Sequence, residues 1–280
     1  MIVYLNNEFL QLEEAKISPF DRGFLFADGV YESIRTYNGK LFYYKDHLKR
    51  LRKSLNEIRL LYNETEKIER IIYELINTNN INGEALIYLQ ITRGTSVPRT
   101  HSFTQEDVNP TIFISAAPLK RNEQEQKEGI RVSLQDDIRW LRCDIKSISL
   151  LPVIIANQSA VDAGGKEAIL RRNGLITEGS HTNFFAIKDK IALTAPAGPL
   201  ILSGITRMIV LELFNQLEIK VKEEFIKADE LKMFNEFFIT STIKEITPVV
   251  QIDEWIVGDG KPGELTHKAQ NAFDELVENY

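Results

Sequence analysis

Cysteine is almost missing from this sequence, since Cys143 is the only one among 280 residues. No intrachain disulfide can therefore form. No apolar run approaches the length of a membrane-spanning helix. The first residues, MIVYLNNEFLQLEE, lack the basic start and long apolar stretch of a signal peptide. These absences predict a cytoplasmic protein without a membrane segment.

An excess of basic charge is also missing. Asp and Glu outnumber Lys and Arg by 40 to 34, which gives a formal net charge of -6. General nucleic-acid binding needs a basic footprint, so this class of function is not expected. Hydrophobic residues at 43% and charged residues at 26% are typical of a globular protein with a sizeable core. No metal-binding pattern is predicted.

Turn signals and hydrophobic periodicity predict an α+β protein. Two hairpins have their turns at Asn6-Asn7 and Asn38-Gly39. Apolar residues then recur at helical spacing at Leu48, Leu51, Leu55 and Ile58, and again at Ile68, Ile71, Ile72, Leu75 and Ile76. Later strands are predicted in EALIYLQITRG, PTIFISAAPL, IRVSLQ, EAILRRN, TNFFAIKDKIALT, EFFITST and TPVVQID, with helices beginning near Leu151, Gly204 and Gly263. Such a mixture of hairpins and helices favours an α+β fold.

Composition also suggests where the chain divides. Residues 120–128 are charged and polar, with neither aromatic nor branched aliphatic side chains, and are the predicted linker. They separate a first domain over residues 1–119 from a second over residues 129–280. A long polar loop at 95–109 joins two predicted strands of the first domain, and such loops are often functional.

Lys146 stands in a mostly apolar stretch, DIRWLRCDIKSISLLP, at residues 137–152. One interpretation is a surface lysine whose stem covers apolar neighbours while its ammonium reaches water. The other is an interior amine. Burial lowers the pKa of such an amine and makes it a nucleophile, as in the Schiff base that lysine forms with pyridoxal phosphate. The residues of this stretch alone leave both interpretations open.

A pyridoxal phosphate cofactor needs a phosphate site, and LSGITRMIVLELF supplies a candidate helix start. Ser203 can cap this helix, Gly204 permits close backbone approach and Thr206 adds a hydroxyl. A second hydroxyl cluster, Thr240 to Thr242, follows a predicted strand. Taken singly, these features are more typical of an ordinary capped helix and a polar strand end.

The same cofactor needs a carboxylate at its pyridine nitrogen, and an amino-acid substrate needs a cation. Glu178, in the turn-like stretch LITEGSHTNFF, is the candidate carboxylate. Arg99 and His101, on the long loop, are the candidate carboxylate clamp. An exposed turn and solvated loop charges explain each of them singly. Their occurrence together with Lys146 favours cofactor chemistry.

The chain resembles the fold-type IV pyridoxal-phosphate aminotransferases, and most closely their bacterial D-amino acid branch. The segments that carry the likeness follow in the expected order: DRGFLFADGVYESIRTYNG, DIRWLRCDIKSISLL, EAILRRNGLITEGSHTNFF, LSGITR and FFITSTIKEITPV. The resemblance implies the two-domain α+β fold of that family. Residues 1–119 would be its small N-terminal α/β domain and residues 129–280 its larger domain, which binds pyridoxal 5'-phosphate.

The resemblance also implies roles for individual residues. Lys146 would be the Schiff-base lysine and general acid/base, Glu178 the partner of the pyridinium nitrogen, and Leu202 a residue behind the cofactor ring. The cofactor phosphate would be held by Arg50, Ile205, Thr206 and Thr242.

For the substrate, the resemblance places Tyr31 and the pair Arg99/His101 at the α-carboxylate. Because the family supplies this pair from a partner subunit, a homodimer is expected. Ser33 and Arg35 would line the region that sets side-chain selectivity. The expected reaction is transamination between a D-amino acid of the D-alanine or D-glutamate type and a 2-oxo acid such as 2-oxoglutarate or pyruvate.

Two other activities of the same fold stay open. An L-branched-chain aminotransferase often has an arginine related to Arg35, and it would not need Arg99 and His101. An aminodeoxychorismate lyase would release pyruvate without an oxo-acid acceptor, and the Arg-x-His pair counts against it. A binding module without cofactor is the alternative that is not an enzyme.

Overall fold

The computed structural model describes residues 1–103 and 108–280. Of the polar loop predicted at 95–109, residues 104–107 lie outside this part. The chain forms two compact units. Unit 1 consists of Met1–Lys120 and Ile145–Ser149, and unit 2 of Arg121–Asp144 and Leu150–Tyr280.

The first half of the chain builds unit 1. Its strands are β1 (Ile2–Leu5), β2 (Glu8–Gln11), β3 (Gly29–Tyr37), β4 (Lys40–Leu41), β5 (Ala85–Thr92) and β6 (Thr111–Pro118). Its helices are α1 (Arg22–Phe26), α2 (Tyr44–Glu57) and α3 (Ile68–Thr78), with a 3-10 turn at Thr65–Lys67. The strands pair antiparallel in the order β2-β1-β6-β5-β3-β4.

The two predicted hairpins are confirmed in this sheet. Leu5 pairs with Glu8 and Tyr37 with Lys40 across two-residue turns, and all four turn residues have positive φ. Asn and Gly tolerate that conformation, which matches the twist of a hairpin. The apolar residues predicted at helical spacing are confirmed as faces of α2 and α3, which pack on β3 and on β1 and β6 respectively.

The remainder of the chain builds unit 2. Its strands are β7 (Ile130–Asp136), β8 (Glu167–Arg172), β9 (Leu175–Gly179), β10 (Asn183–Lys188), β11 (Ile191–Thr194), β12 (Val221–Glu223), β13 (Ile226–Lys227), β14 (Glu236–Ser241), β15 (Glu245–Ile252) and β16 (Trp255–Ile256). Its helices are α4 (Glu123–Glu128), α5 (Leu151–Asp162), α6 (Ile205–Gln216) and α7 (Glu264–Glu278), with a 3-10 segment at Ala228–Met233. The helix starts predicted near Leu151, Gly204 and Gly263 are confirmed.

The sheet of unit 2 is mixed. Its order is β12-β11-β10-β14-β15-β7-β8-β9-β13, with β16 paired to β15. β7 runs parallel to both β8 and β15, and α5 lies in the connection from β7 to β8, as parallel pairing requires. Successive β10 residues face opposite sides, so Phe184 stacks on Phe237 and Phe185 on Phe238. The centre of this sheet is therefore apolar on both faces.

The predicted linker is partly helical. Asn122 accepts a hydrogen bond from the Glu125 backbone N–H at 3.3 Å and caps α4, which occupies residues 123–128. An Asn cap and acidic residues in the first turn favour a helix there. The division into domains at 1–119 and 129–280 stays a prediction. Within the part that is described, no helix is both long and apolar enough to cross a membrane.

Candidate active site

Unit 1 holds the segment around Lys146 by its backbone. The Tyr31 N–H donates to the Lys146 carbonyl at 3.0 Å, and the Lys146 N–H donates to Ser54 Oγ at 3.2 Å. Two residues on, the Ile148 N–H donates to the Gly29 carbonyl at 3.1 Å. The segment is fixed on both sides of the lysine, although it is not a regular strand.

The Lys146 side chain is half-buried, and its ammonium lies over an aromatic ring. Lys146 Nζ is 4.1 Å from the centroid of Tyr31, whose ring tilts against Tyr88 at 5.7 Å between centroids. A cation over a tyrosine face is attracted by the ring quadrupole. The amine is thus directed by a neighbour that the sequence also assigned to the site.

Arg50 binds a buried carboxylate that sequence reasoning missed. Arg50 Nε donates to Glu32 Oε1 at 2.8 Å and Nη2 donates to Oε2 at 2.7 Å, a bidentate pair. His47 Nδ1 lies 2.8 Å from the same Oε2. On α2, His47 and Arg50 are three residues apart and so share one face. That spacing, opposite a glutamate on the inward face of a strand, is the signal that could have found this cluster.

Burial and charge act against each other in this cluster. Burial raises the pKa of Glu32, but the Arg50 guanidinium, and then hydrogen bonds from Arg50 and His47, outweigh it and lower the pKa to about 2. Burial lowers the pKa of His47 below its usual 6.5, although Glu32 opposes this. Neutral His47 therefore donates its Nδ1–H to an ionised Glu32.

Arg99 and His101 lie near each other on the surface of unit 1. The Arg99 guanidinium carbon is 4.3 Å from the centroid of Phe26, and the His101 ring is 5.4 Å from the same ring. Both residues are exposed. The predicted pair is thus brought together on one aromatic side chain.

Ser33 and Arg35 lie on β3, on the same side of the strand as Tyr31. Ser33 is half-buried and stands opposite Tyr88 in the sheet. Arg35 is buried, its Nε donates to Glu84 at 2.8 Å, and its guanidinium lies 4.7 Å from the Tyr37 ring centroid. The proposed role of both residues in selectivity stays a prediction.

Unit 2 places Glu178 in a buried strand. The expectation of a turn was wrong, since Glu178 belongs to β9 and is buried. Its carboxylate accepts hydrogen bonds from Arg139 Nη1 at 2.5 Å, Asn183 Nδ2 at 2.9 Å and the Leu202 N–H at 3.0 Å. Gly179 and Ser180 follow it in sequence, which explains why the stretch looked turn-like.

Burial dominates the titration of Glu178. It raises the pKa of this carboxyl to about 7, because Arg139 and the Leu202 N–H offset burial only in part. Arg139 is shared, since its Nε and Nη2 also donate to Asp137 at 2.8 and 2.9 Å. Glu178 is consequently a carboxylate whose negative charge a further cation would stabilise.

Helix α6 begins without a side-chain cap. Its N-cap is Gly204, so the expectation that Ser203 caps it was wrong. The first turn of a helix leaves backbone N–H groups of residues such as Ile205 and Thr206 without partners inside the helix, and these favour an anion. A Cβ on Gly204 would lie 2.0 Å from Asn183 Oδ1, so the close backbone approach requires glycine.

Threonine hydroxyls near this helix start are buried and unsatisfied. Among the residues that the structure describes, Thr182 Oγ1 and Thr240 Oγ1 have no hydrogen-bond partner. Thr240 pairs with Asn183 across β14 and β10, and Thr242, half-buried, follows the end of β14. Buried hydroxyls usually find partners, so such atoms indicate a polar ligand.

Comparison with known proteins identifies the family. The family profile for amino-transferase class IV matches residues 29–252. The chain belongs to the class IV aminotransferases. It is 42% identical to a D-alanine aminotransferase of Staphylococcus haemolyticus over 278 residues, which cover 99% of this chain and 98% of the relative. It is 40% identical to one of Bacillus licheniformis over 279 residues, or 99% and 97%.

Solved structures of class IV aminotransferases share the fold. A branched-chain amino acid aminotransferase of Escherichia coli superposes with a TM-score of 0.92 at 26% identity, covering 99% of this chain and 94% of that one. A further branched-chain amino acid aminotransferase, solved with pyridoxamine 5'-phosphate, gives a TM-score of 0.90 at 25% identity, covering 99% and 93%. The expected two-domain α+β fold of fold-type IV is therefore confirmed.

Membership makes this chain a pyridoxal-phosphate-dependent aminotransferase. Its residues fit that cofactor. The buried, unsatisfied Thr240 hydroxyl and the uncapped start of α6 suit a phosphate, and the under-compensated Glu178 carboxylate suits a pyridinium nitrogen. A cofactor aldehyde also needs an amine, and the half-buried Lys146 is the candidate.

Proposed function

We propose that this enzyme transfers the amino group of a D-amino acid, of the D-alanine or D-glutamate type, to a 2-oxo acid such as 2-oxoglutarate or pyruvate. The observation that carries the proposal is the 40–42% identity, over 99% of the chain, to D-alanine aminotransferases. The meeting of Arg99 and His101 on one ring supports it from the geometry.

The cofactor contacts in this proposal are those that the family resemblance implies. Lys146 would hold the cofactor through its Nζ, and Glu178 would stabilise a proton on the pyridine nitrogen. Leu202, whose N–H donates to Glu178, would be a further residue at the cofactor ring. The phosphate is held by Arg50, Ile205, Thr206 and Thr242. When bound, the pyridine ring withdraws electrons from the substrate Cα and makes its proton removable.

Lys146 is the general acid and base of the proposed reaction. Its Nζ would take the proton from the substrate Cα, and in the reverse direction it would return a proton there. The backbone bonds to Tyr31 and Ser54 fix where the side chain starts, and the Tyr31 ring contacts its ammonium.

The substrate α-carboxylate is bound by Tyr31 with Arg99 and His101. Arginine suits this role because its guanidinium meets a carboxylate in a bidentate fork. Ser33 and Arg35 then face the substrate side chain. Since Arg35 already pairs with Glu84, its contribution to a second carboxylate depends on that pair opening.

We propose that two copies of the chain form the enzyme and that the partner supplies Arg99 and His101. The support is helix α5, which buries Ala156 and Ala160 but leaves Leu151, Ile154 and Ile155 exposed. Residues three and four apart share a helix face, so these aliphatic side chains form one patch. Such patches mark association surfaces. The cytoplasmic location expected from the sequence stays a prediction.

The first test is the visible absorption band of the purified holoenzyme before and after addition of amino acids. We expect a band that bleaches with D-alanine and not with L-leucine. Bleaching with L-leucine alone would move the protein to the branched-chain aminotransferases. A band that responds to neither, with pyruvate released from another substrate, would favour a lyase.

The role of Lys146 is tested by Lys146→Ala, with the exposed Lys166→Ala as control. Lys146→Ala should lower turnover by about 10⁴-fold or more, because it removes both the covalent anchor and the proton carrier. Its cofactor should leave on gel filtration in denaturant-free buffer, whereas Lys166→Ala should keep both cofactor and turnover. A turnover close to wild type in Lys146→Ala contradicts the proposal.

A further inference from the structure

One phenylalanine is shared by the two residues of the proposed carboxylate clamp. The Phe26 ring is contacted by the Arg99 guanidinium at 4.3 Å, by the His101 ring at 5.4 Å and by the Arg22 guanidinium at 4.8 Å. Among residues 1–103 and 108–280, Arg99 makes no hydrogen bond or ion pair. Within that part of the chain, the side-chain contact of the Arg99 guanidinium is with Phe26.

Phe26 ends a helix that is fixed to the sheet. Asp21 accepts from the Gly23 N–H at 2.7 Å at the start of α1, and also from the Thr92 hydroxyl at 2.8 Å and the Thr111 hydroxyl at 2.6 Å. A Cβ on Gly23 would lie 2.2 Å from the Thr92 side chain. These contacts fix the start of helix α1 to β5 and β6, and Phe26 is the last residue of this helix.

Further contacts join residues next to Arg99 and His101 to helix α1 and to the residues beside it. Arg22 Nη1 donates to the Thr100 carbonyl at 2.6 Å, between the two clamp residues. Asp28 binds both Arg22 and Arg93, at 2.8 and 2.7 Å. The Arg93 guanidinium in turn lies 3.9 Å from the Phe103 ring centroid. These contacts reach the Thr100 carbonyl and the Phe103 ring, whereas the Phe26 ring contacts the Arg99 and His101 side chains.

We propose that Phe26 is a positioning residue that orients Arg99 and His101 for the substrate carboxylate. A guanidinium that is attracted to an aromatic ring stacks its own flat face on the ring. The N–H groups at its edge then remain available for a bidentate carboxylate. The inference rests on the proposed function, because it gives Phe26 meaning only if Arg99 and His101 bind substrate. In this proposal Phe26 acts through Arg99 and His101.

The test compares holoenzyme variants on D-alanine. Phe26→Leu keeps an apolar side chain but removes the ring, and Phe26→Tyr keeps the ring. Phe24→Leu is the matched control, since Phe24 lies on the same helix and is 68% exposed. Arg99→Ala reports on the clamp itself. The readouts are KM and kcat for D-alanine, and the NMR signal of the His101 Cε1–H in the substrate-free protein.

We expect Phe26→Leu to raise KM for D-alanine about three- to ten-fold with little change in kcat, as loss of a cation–π contact predicts. It should also shift the His101 signal, which feels the ring current of Phe26. Phe26→Tyr should restore KM, and Phe24→Leu should match wild type in both readouts. This pattern supports the proposal.

Two results would overturn it in distinguishable ways. If Arg99→Ala raises KM and Phe26→Leu does not, the clamp stands and the role of Phe26 is wrong. If neither variant raises KM, the substrate-binding part of the proposed function is wrong and the inference goes with it. If Phe26→Leu does not fold, a wild-type NMR spectrum without a nuclear Overhauser contact between Phe26 and His101 decides against the proposal.

Discussion

Two buried carboxylates, one in each unit, face an arginine with opposite results. Glu32 is bound by Arg50 and its pKa falls to about 2, whereas Glu178 is bound by Arg139 and its pKa rises to about 7. Burial raises the pKa of both. An arginine within hydrogen-bond distance is therefore not enough to decide whether a buried glutamate keeps its charge.

The difference lies in how fully the arginine is committed. Arg50 gives Glu32 two parallel hydrogen bonds, and His47 adds a third. Arg139 gives Glu178 one bond through Nη1 and commits Nε and Nη2 to Asp137, whose own charge further disfavours an ionised Glu178. The cluster in unit 1 is electrostatically complete, and the one in unit 2 gains from a further cation.

The largest effect is expected from breaking the complete cluster. Glu32→Gln removes the charge that faces Arg50 and His47, which should lower the free energy of unfolding by about 3–5 kcal/mol. Urea titration of the cofactor-free protein measures this. The control Glu64→Gln removes an exposed partner of Lys67 and should cost about 1 kcal/mol or less. Equal losses in the two variants would contradict the contrast.

The incomplete cluster should matter for turnover. Glu178→Gln cannot hold a proton on the pyridine nitrogen as an ion pair, and we expect kcat to fall about 10²- to 10³-fold, as when a preorganised electrostatic partner is lost. Steady-state kinetics with D-alanine measure it. Glu223→Gln, at a half-exposed partner of Arg207, should leave kcat unchanged. A kcat near wild type in Glu178→Gln would show that the carboxylate is not needed.

The smallest effect is a difference in pH dependence. The pKa of Glu32 is lowered to about 2, so its stabilisation is complete above its ordinary 4.5 and is lost as the pH falls toward 2. The pKa of Glu178 is raised to about 7, so its contribution falls as the pH rises from 4.5 to 7. The pKa of His47 is lowered too, so protonation of His47 also changes the stability in acid. The contribution of each glutamate is therefore taken as the free energy of unfolding of wild type minus that of the variant.

The measurement is the free energy of unfolding of the cofactor-free wild type, Glu32→Gln and Glu178→Gln at several pH values. The difference in unfolding free energy between wild type and Glu32→Gln should shrink in acid. The corresponding difference between wild type and Glu178→Gln should change between pH 4.5 and 7. Curves that stay parallel to wild type over both ranges would mean that neither carboxyl is shifted.

Local signals in the sequence predicted much of the fold. Asn38-Gly39 needs only its own backbone preference to turn, and the apolar faces of α2 and α3 are read directly from spacing. The short strands β12, β13 and β16 were missed, because strands of two or three residues have too little periodicity. Such strands depend on a neighbour that only the fold brings close.

The candidate site divides in the same way. Lys146 and Glu178 were candidates from their sequence context and Arg50 from the family resemblance, while the partners Glu32, His47 and Arg139 were not predicted. A partner on another element, such as Glu32 on β3 for Arg50 on α2 eighteen residues away, has no local mark in the sequence. Glu178 was placed in a turn because the Gly-Ser after it hid the strand. Hydrogen bonds between distant residues are what the sequence alone leaves open.

The assignment of Ile145–Ser149 to unit 1 has a consequence for how the gene can be divided. This five-residue insert lies between stretches of chain that belong to unit 2. A gene fragment for residues 1–120 would encode Tyr31, Ser54 and Arg50 but not Lys146. The complementary fragment would encode Lys146 without the backbone groups that hold it. No single cut in the coding sequence separates the two units and keeps Lys146 together with Tyr31 and Ser54, which hydrogen-bond to its backbone.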